Sequence, residues 1–170
     1  VNALIDAAHL RNEKVSAYDV GFKLGPRLNA CGRMGHAREA AHLLTEAPAE
    51  EATKIATFLT RENERRRQTE REIFKQAKQM VLDAGYNRED CRAIVLGKEQ
   101  WHPGVIGIVA SRLVEAFHRP VVMLSIDNGT ASGSARSVDG VSIHEAITAC
   151  SDMLDRFGGH AMAAGLGLAT

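Results

Sequence analysis

The sequence has 170 residues, 45% of them apolar and 25% charged, and its formal net charge is zero. This balance is typical of a soluble protein with one good core, or of a compact domain with a helical appendage. The lack of net positive charge argues against bulk nucleic-acid binding, so any such contact has to be local. Three widely spaced cysteines predict reduced thiols, and no apolar run approaches the roughly 18 residues of a membrane span. We therefore expect a cytoplasmic protein without a membrane segment.

Residues 1–47 have the pattern of short helices. Ser16 is a predicted N-cap, and residues 17–28 place apolar side chains at a helical spacing. Because Pro26 interrupts that span, we expect a kink or a break near Gly25.

The segment from Gly25 to Gly35 is unusual for a connector. Two arginines, Arg27 and Arg33, stand among glycines and small residues, with Asn29 between them. Two interpretations remain open at this point. The segment is either a corner between two helices with exposed arginines, or a loop that presents guanidinium groups to an anion.

One long helix is predicted over residues 49–84. Pro48 is compatible with its first turn, and Gly85 is the next residue that would end it. Both ends are amphipathic, but residues 61–72 contain no apolar side chain. A helix with a polar middle is typical of a bridge between two separately packed bodies. We expect the arginines of this middle stretch to be solvated and interleaved with acids.

From about residue 90 the pattern becomes an alternation of strands and helices. A short apolar run ends at Gly97, and Pro103 then begins a helix. A second strand leads to an Asp-Asn-Gly hairpin turn at 127–129. Ser142 and Glu145 form a capping box that opens another helix. The predicted strands cover residues 93–96, 120–126, 130–137 and 161–168, and the last helix covers residues 143–155.

The third predicted strand carries very small side chains over residues 132–137, which offer little to a core. Ser134 and Arg136 are two residues apart, so on a strand they project from the same face. A hydroxyl and a guanidinium on one face are suited to binding a phosphate. The alternative is an edge strand with a solvent-facing arginine.

Near the C-terminus, two adjacent glycines, Gly158 and Gly159, are followed directly by His160 and then by small residues. Glycines allow backbone conformations that a Cβ forbids and let a ligand approach the amide groups. We predict a tight turn that holds a phosphate or a nucleotide against bare backbone. The alternative is a structural turn with a buried His160. In the functional interpretation, Arg33, Arg136 and His160 converge on one anion pocket.

Several catalytic patterns are missing from the sequence. Its seven histidines form no pattern with aspartates of the kind that holds catalytic metal ions. It contains no Walker loop, no serine-nucleophile motif and no Cys–His signature. We therefore expect neither a metal site nor a catalytic residue in this chain alone.

Four blocks of the sequence resemble, in the same order, the RecJ family of bacterial single-strand-specific exonucleases, in the DHH phosphoesterase superfamily. Together they bracket almost the whole chain. They are Gly25-Pro-Arg-Leu-Asn-Ala-Cys-Gly-Arg-Met34, Trp101-His-Pro-Gly-Val-Ile-Gly-Ile-Val-Ala-Ser111, Gly133-Ser-Ala-Arg-Ser137 and Phe157-Gly-Gly-His-Ala-Met-Ala-Ala-Gly165.

The resemblance implies an α/β fold in which a helical piece and a long connecting helix lead to a DHHA1-type mixed sheet flanked by helices. Residues 1–47 would be the helical end of a DHH domain, residues 48–84 the connecting helix, and residues 85–170 the DHHA1 substrate-binding domain. The rest of the DHH domain, with two Mn²⁺ or Mg²⁺ ions, would precede this chain and an OB-fold would follow it. We therefore expect the chain to be part of a longer protein.

By the same resemblance, the intact protein is a metal-dependent exonuclease that degrades single-stranded DNA from the 5′ end in DNA repair and recombination. This chain would grip the strand and its 5′ phosphate, would bind weakly alone and would cut nothing. A single-strand-binding protein and a helicase are the expected protein partners. The implied nucleic-acid-binding residues are Arg33, Ser134, Arg136, Gly158, Gly159 and His160, with Arg27, Asn29, His102 and Gly104 as candidate further contacts.

Two alternative functions stay open. An oligonucleotide or cyclic-dinucleotide phosphodiesterase of the same superfamily shares the Gly-Gly-His turn but lacks the Gly-Pro-Arg block. A non-catalytic nucleic-acid-binding module would need only the strand contacts.

Overall fold

The computed structural model describes residues 1–11 and 14–170. They divide into two units, Val1–Gln68 and Thr69–Thr170. The predicted α/β class is confirmed, since helices make up the first unit and a five-stranded mixed sheet forms the second. The division into three domains stays a prediction. None of the described helices is both long and apolar enough to cross a membrane.

The first unit consists of helices, and its N-cap prediction is confirmed. The Ser16 hydroxyl accepts a hydrogen bond from the Asp19 amide, and the Asp19 carboxylate accepts one from the Ser16 amide, which completes a capping box. The elements are α1 (Asn2–Ala7), α2 (Ala17–Asp19), a π-helical turn (Val20–Leu24), α3 (Gly25–Arg33), α4 (Ala37–Thr45) and the first part of α5 (Ala49–Asp83).

The chain does not break at Pro26. Instead, the π-helical turn Val20–Leu24 joins α2 to α3, and the proline occupies the first turn of α3, where a missing N–H costs little. The segment that carries Arg27 and Arg33 is therefore helix rather than loop, so of the two open interpretations the arginine loop is wrong.

The middle of α5 is polar on all sides, but it is not exposed to solvent on all sides. Glu62 and Asn63 are only 4% and 3% exposed. Glu62 Oε2 lies 4.0 Å from His36 Nε2 and 3.7 Å from Arg65 Nη1, and Arg66 donates a hydrogen bond to Asn63. One side of this stretch is therefore buried within the first unit, which was not predicted, whereas Arg65 and Arg67 are exposed, as expected for solvated arginines.

The second unit contains a sheet with the strand order β1-β2-β3-β5-β4. β1 and β2 are parallel and every other neighbouring pair is antiparallel. The helix opened by Ser142 ends earlier than predicted, and a 3₁₀ turn (Ser151–Met153) follows it. The elements are β1 (Ile94–Glu99), α6 (Pro103–Phe117), β2 (Val121–Asp127), β3 (Thr130–Arg136), α7 (Ile143–Thr148), β4 (Arg156–His160) and β5 (Ala163–Ala169).

The two sheet faces are covered differently. α6 packs against β2 and β3 on the face that carries Ser134 and Arg136. α7 packs on the opposite face, where Ile143 and Ile147 contact Ala135 and other small residues. The face beneath α6 is called the clamp face below.

The second half of α5 is attached to the β1–α6 connection. Gln76 Oε1 accepts hydrogen bonds from Trp101 Nε1 and from Lys98 Nζ, both at 3.0 Å. Arg112 of α6 lies 4.0 Å from the centre of the Phe74 ring and 3.1 Å from the Glu70 carboxylate. These contacts fix the connection from which α6 begins.

Candidate nucleic-acid interface

The β3 strand aligns three polar side chains on the clamp face. Ser132, Ser134 and Arg136 alternate with alanine and glycine, so they project from the same side of the strand. Arg136 Nη1 donates to Ser134 Oγ at 3.1 Å and to the Ala135 carbonyl at 2.8 Å. Both side chains are half-buried, so the guanidinium and the hydroxyl form one preformed group.

Gly107 of α6 is needed for this arrangement. A Cβ at this position would lie 2.7 Å from Ser134 Oγ and 3.1 Å from Arg136 Nη2. The glycine therefore lets the helix approach the Ser134–Arg136 pair closely. The site prediction from sequence omitted Gly107, although its place in the Trp-His-Pro-Gly block was the available signal.

The Gly-Gly-His segment is not a turn but the edge strand β4, which pairs with β5. Gly159 has φ +152°, and a Cβ there would overlap the Ala163 carbonyl oxygen, so this position requires glycine. A Cβ on Gly158 would meet no atom within 4 Å. The two glycines thus differ: Gly159 permits strand pairing, whereas Gly158 leaves open space.

His160 is exposed, so the alternative of a buried core histidine is wrong. The register aligns His160 with Ala163 of β5, and Ala163 with Arg136 of β3. Aligned residues share a sheet face, and two strand spacings separate Arg136 from His160 by roughly 10 Å. The clamp face therefore presents both side chains, with only an alanine between them.

His102 and Gly104 lie at the start of α6. His102 is the N-cap residue, and its Nδ1 accepts a hydrogen bond from the Gly104 amide at 3.1 Å. Beside this turn is a cavity of about 690 Å³ in which His102 is one of the lining residues.

In the first unit, Asn29 and Arg33 lie four residues apart on α3, and both are exposed. With Gly32 they line a groove of about 450 Å³ between α3 and α4. Arg27 has a structural environment instead: it donates to Thr60 Oγ1 at 3.2 Å and to the Lys23 carbonyl at 2.6 Å. Burial lowers the pKa of the Arg27 guanidinium.

The predicted site residues thus fall into two groups. Arg33 belongs to the first unit, whereas Ser134, Arg136, Gly158, Gly159 and His160 belong to the second. The structure brings the second group together on one sheet. The convergence of Arg33 with them stays a prediction.

The described residues contain no cluster of three or more His, Cys, Asp or Glu side chains able to hold a metal ion. They therefore do not fit the two-metal centre that the resemblance implies for the intact protein. Arginine, hydroxyl and backbone groups bind anions and position them.

Comparison with known proteins identifies the second half of the chain and relates the whole to longer proteins. Residues 90–170 match the DHHA1 domain family. The single-stranded-DNA-specific exonuclease RecJ of Bacillus subtilis (strain 168) is 45% identical over 151 residues, which are 88% of this chain and 19% of that protein. RecJ of Escherichia coli (strain K12) is 37% identical over 174 residues, covering 99% of this chain and 30% of that protein. The chain thus spans less than a third of these relatives.

Solved structures give the same relationship. The crystal structure of RecJ in complex with Mn²⁺ from Thermus thermophilus superimposes with a TM-score of 0.83 at 36% sequence identity, covering 98% of this chain and 24% of that one. The Mg²⁺ complex of RecJ from the same organism gives a TM-score of 0.81 with the same identity, covering 98% of this chain and 25% of that one.

Proposed function

The chain belongs to the RecJ family, and from this premise we propose that it is the strand-gripping part of a 5′–3′ single-stranded-DNA exonuclease. In this proposal the chain binds the strand and its terminal 5′ phosphate, and hydrolysis takes place at a centre elsewhere in the longer protein. The similarity to the RecJ proteins over almost the whole chain supports the reaction class.

The Ser134–Arg136 pair is the observation that carries the phosphate assignment. Its guanidinium and hydroxyl are already in contact at 3.1 Å, so binding would require little further ordering of these side chains. A guanidinium matches the geometry of a phosphate and binds it through paired N–H donors. A terminal phosphate carries more negative charge than an internal phosphodiester, so this pair would favour a phosphorylated 5′ end.

The other site residues have separate roles in the proposal. His160 contacts a phosphate oxygen of the strand, and Gly158 leaves room for the sugar–phosphate backbone to approach β4. Gly159 acts indirectly by holding β4 against β5. Arg33, in the first unit, contributes a further phosphate contact, and Asn29 beside it is a candidate for the same strand. Arg27, His102 and Gly104 serve mainly to hold their helices in place.

The metal ions, Mn²⁺ or Mg²⁺, are proposed to bind outside this chain, in the DHH domain of the intact protein. When bound there, they would supply the activated water that attacks the phosphodiester. The residues of this chain bind the 5′ end, orient the strand and set which bond is cut. Single-stranded DNA is the proposed partner, and a single-strand-binding protein and a helicase are proposed further partners in the cytoplasm.

The test compares 5′-phosphorylated and 5′-hydroxyl oligonucleotides as substrates of the longer protein that carries this chain. Arg136→Ala should reduce the preference for phosphorylated ends by roughly 1.5–3 kcal/mol, the range for a hydrogen bond to a charged group. The quantity to measure is the ratio of kcat/KM for the two substrates. Equal processing of both ends by the unmodified protein would contradict the proposal.

Arg88→Ala is the matched control. Arg88 is an exposed arginine of the same unit whose guanidinium lies 3.6 Å from Asp90. Its loss removes the same charge from a residue that is not one of the proposed contacts, so the ratio should stay unchanged. A similar loss in both variants would indicate a general effect of charge rather than a specific phosphate site.

A further inference from the structure

The cavity of about 690 Å³ lies at the carboxyl ends of the parallel strands β1 and β2. Open α/β sheets commonly bind ligands at this edge. The volume is within the range of small-molecule sites in proteins, roughly 300–1,000 Å³. Side chains of the β1–α6 connection, of the β2–β3 hairpin and of the start of β3 line it.

The two carboxylates of the cavity wall disfavour a phosphate, and the wall suits an uncharged polar group. Glu99 and Asp127 line it, and none of its lining residues is a lysine or an arginine. The remaining polar groups include the hydroxyls of Thr130 and Ser132 and the side-chain amide of Gln100. Two carboxylates repel an anion, whereas carboxylates, hydroxyls and amides accept from and donate to the edges of a nucleobase.

The cavity also adjoins the proposed phosphate site. Ser132 lines the cavity and stands two residues before Ser134 on the same face of β3, about 7 Å away along the strand. A single nucleotide spans this distance between its phosphate and its base. Positive charge lies at the Arg136 end of this row and negative charge at the Asp127 end.

We propose that this cavity binds the sugar and base of the terminal nucleotide whose 5′ phosphate is held by Ser134 and Arg136. The inference rests on the proposed function, because it takes the position of the phosphate from it. The charged groups at the two ends of β3 then orient the nucleotide. Its phosphate lies next to the guanidinium, and its uncharged sugar and base lie next to the carboxylates.

The wall of the cavity is held in place before any ligand binds. Trp101 is 3% exposed, and its Nε1 donates to Gln76 at 3.0 Å. Ser125 Oγ donates to the Trp101 carbonyl at 2.5 Å. On the opposite side, the tight turn at Asn128 and Gly129 closes the β2–β3 hairpin. The connection and the hairpin are thus both held in place, and the Ser125 hydrogen bond links them.

A cation is the competing ligand for a cavity lined by two carboxylates. Among the described residues, however, Glu99 and Asp127 belong to no group of three or more side chains able to hold a metal ion. The lining favours the nucleoside for this reason.

The test measures ligand-induced shifts in ¹H–¹⁵N NMR spectra of the chain itself. Two signals are followed, the indole N–H of Trp101 and the backbone amide of Gly107. Trp101 is the only tryptophan of the sequence, so its single indole N–H signal reports on the cavity. The Gly107 amide reports on the Ser134–Arg136 pair. Deoxyadenosine 5′-monophosphate should shift both signals, whereas inorganic phosphate should shift only that of Gly107.

The experiment distinguishes a failure of the nucleoside cavity from a failure of the proposed phosphate site. If the nucleotide shifts the Gly107 signal but leaves the Trp101 indole unchanged, the cavity does not bind the nucleoside and the inference is wrong while the proposed function stands. If neither ligand shifts either signal, the phosphate assignment is wrong and the inference fails with it.

Ser132→Val tests the cavity directly. It removes the hydroxyl and adds two methyl groups, and it should weaken nucleotide binding at least fivefold while leaving phosphate binding unchanged. Thr130→Val is the second variant, in case the first does not fold, because Thr130 is exposed. Thr148→Val is the matched control on α7, where the hydroxyl donates to the His144 carbonyl of its own helix at 2.8 Å. Unchanged nucleotide affinity in both cavity variants would overturn the inference.

Discussion

The two candidate contact regions are built on different principles. In the first unit, Arg33 projects from the exposed side of α3, while Ala30 and Cys31 of the same helix are buried. In the second unit, the Ser134–Arg136 pair is itself part of the packing, because α6 approaches it closely at Gly107.

This difference indicates in which region a substitution can change binding without also changing the stability of the fold. On an amphipathic helix the two sides are independent, so a surface residue can change without disturbing the core. On a strand beneath a helix, the binding groups are also packing groups. Substitutions in the first region should therefore affect binding alone, and those in the second should affect both binding and stability.

The largest effect is expected for Gly107→Ala. The added methyl group would overlap Ser134 Oγ, so either the helix shifts or the Ser134–Arg136 contact breaks. We expect a loss of roughly 1–3 kcal/mol in the free energy of unfolding, the usual range for overpacking, together with loss of the preference for 5′-phosphorylated ends. Chemical denaturation and the two-substrate assay measure these. A variant with unchanged stability and preference would contradict the close-packing argument.

Arg33→Ala should weaken DNA binding without lowering the stability of the fold. Because Arg33 is exposed on α3, the midpoint of thermal unfolding should not change. Affinity of the longer protein for single-stranded DNA should fall by about 1 kcal/mol, near the value of one hydrogen bond, and the salt dependence of binding should decrease by about one phosphate contact. Binding isotherms at several salt concentrations measure both. Arg38→Ala, also exposed on the neighbouring helix, is the control.

The smallest effect concerns the cap formed by Ser16 and Asp19, whose residues belong to neither candidate contact region. The side chains of Lys23 and Ser16 hold the pKa of Asp19 well below its usual value of 3.8. A carboxyl group with a depressed pKa stabilises the folded state above that usual value and loses this effect as the pH falls below it. Asp19→Asn should therefore lower the unfolding temperature at pH 7. It should also make the unfolding temperature fall less steeply between pH 4 and pH 2.

Much of the second unit was predictable because short-range rules determine it. The alternation on β3 placed Ser134 and Arg136 on one face, and the structure confirms that face. The Asp-Asn-Gly hairpin and the helix beginning at Pro103 are also as predicted. Each of these features depends on a few neighbouring residues.

The features that sequence reasoning missed depend on distant partners. Glu62 and Asn63 are surrounded by charged neighbours in the sequence, but residues such as His36 on another segment cover them. The Gly-Gly-His segment was predicted as a turn because glycine pairs usually form turns, whereas β5 recruits it as a strand. The role of Gly107 depends on the packing of α6 against β3, which the local sequence does not show.

The edge strand β4 has a consequence for the behaviour of the protein in concentrated solution. An exposed edge offers its backbone to the edge of another molecule, which is a common route to aggregation. β4 is only five residues long, and its two central glycines have a low preference for extended pairing. A short strand of this kind, which begins with the charged Arg156, is a poor template for a neighbouring copy. The sparseness of side chains that leaves this edge accessible thus also helps to keep separate molecules from joining their sheets.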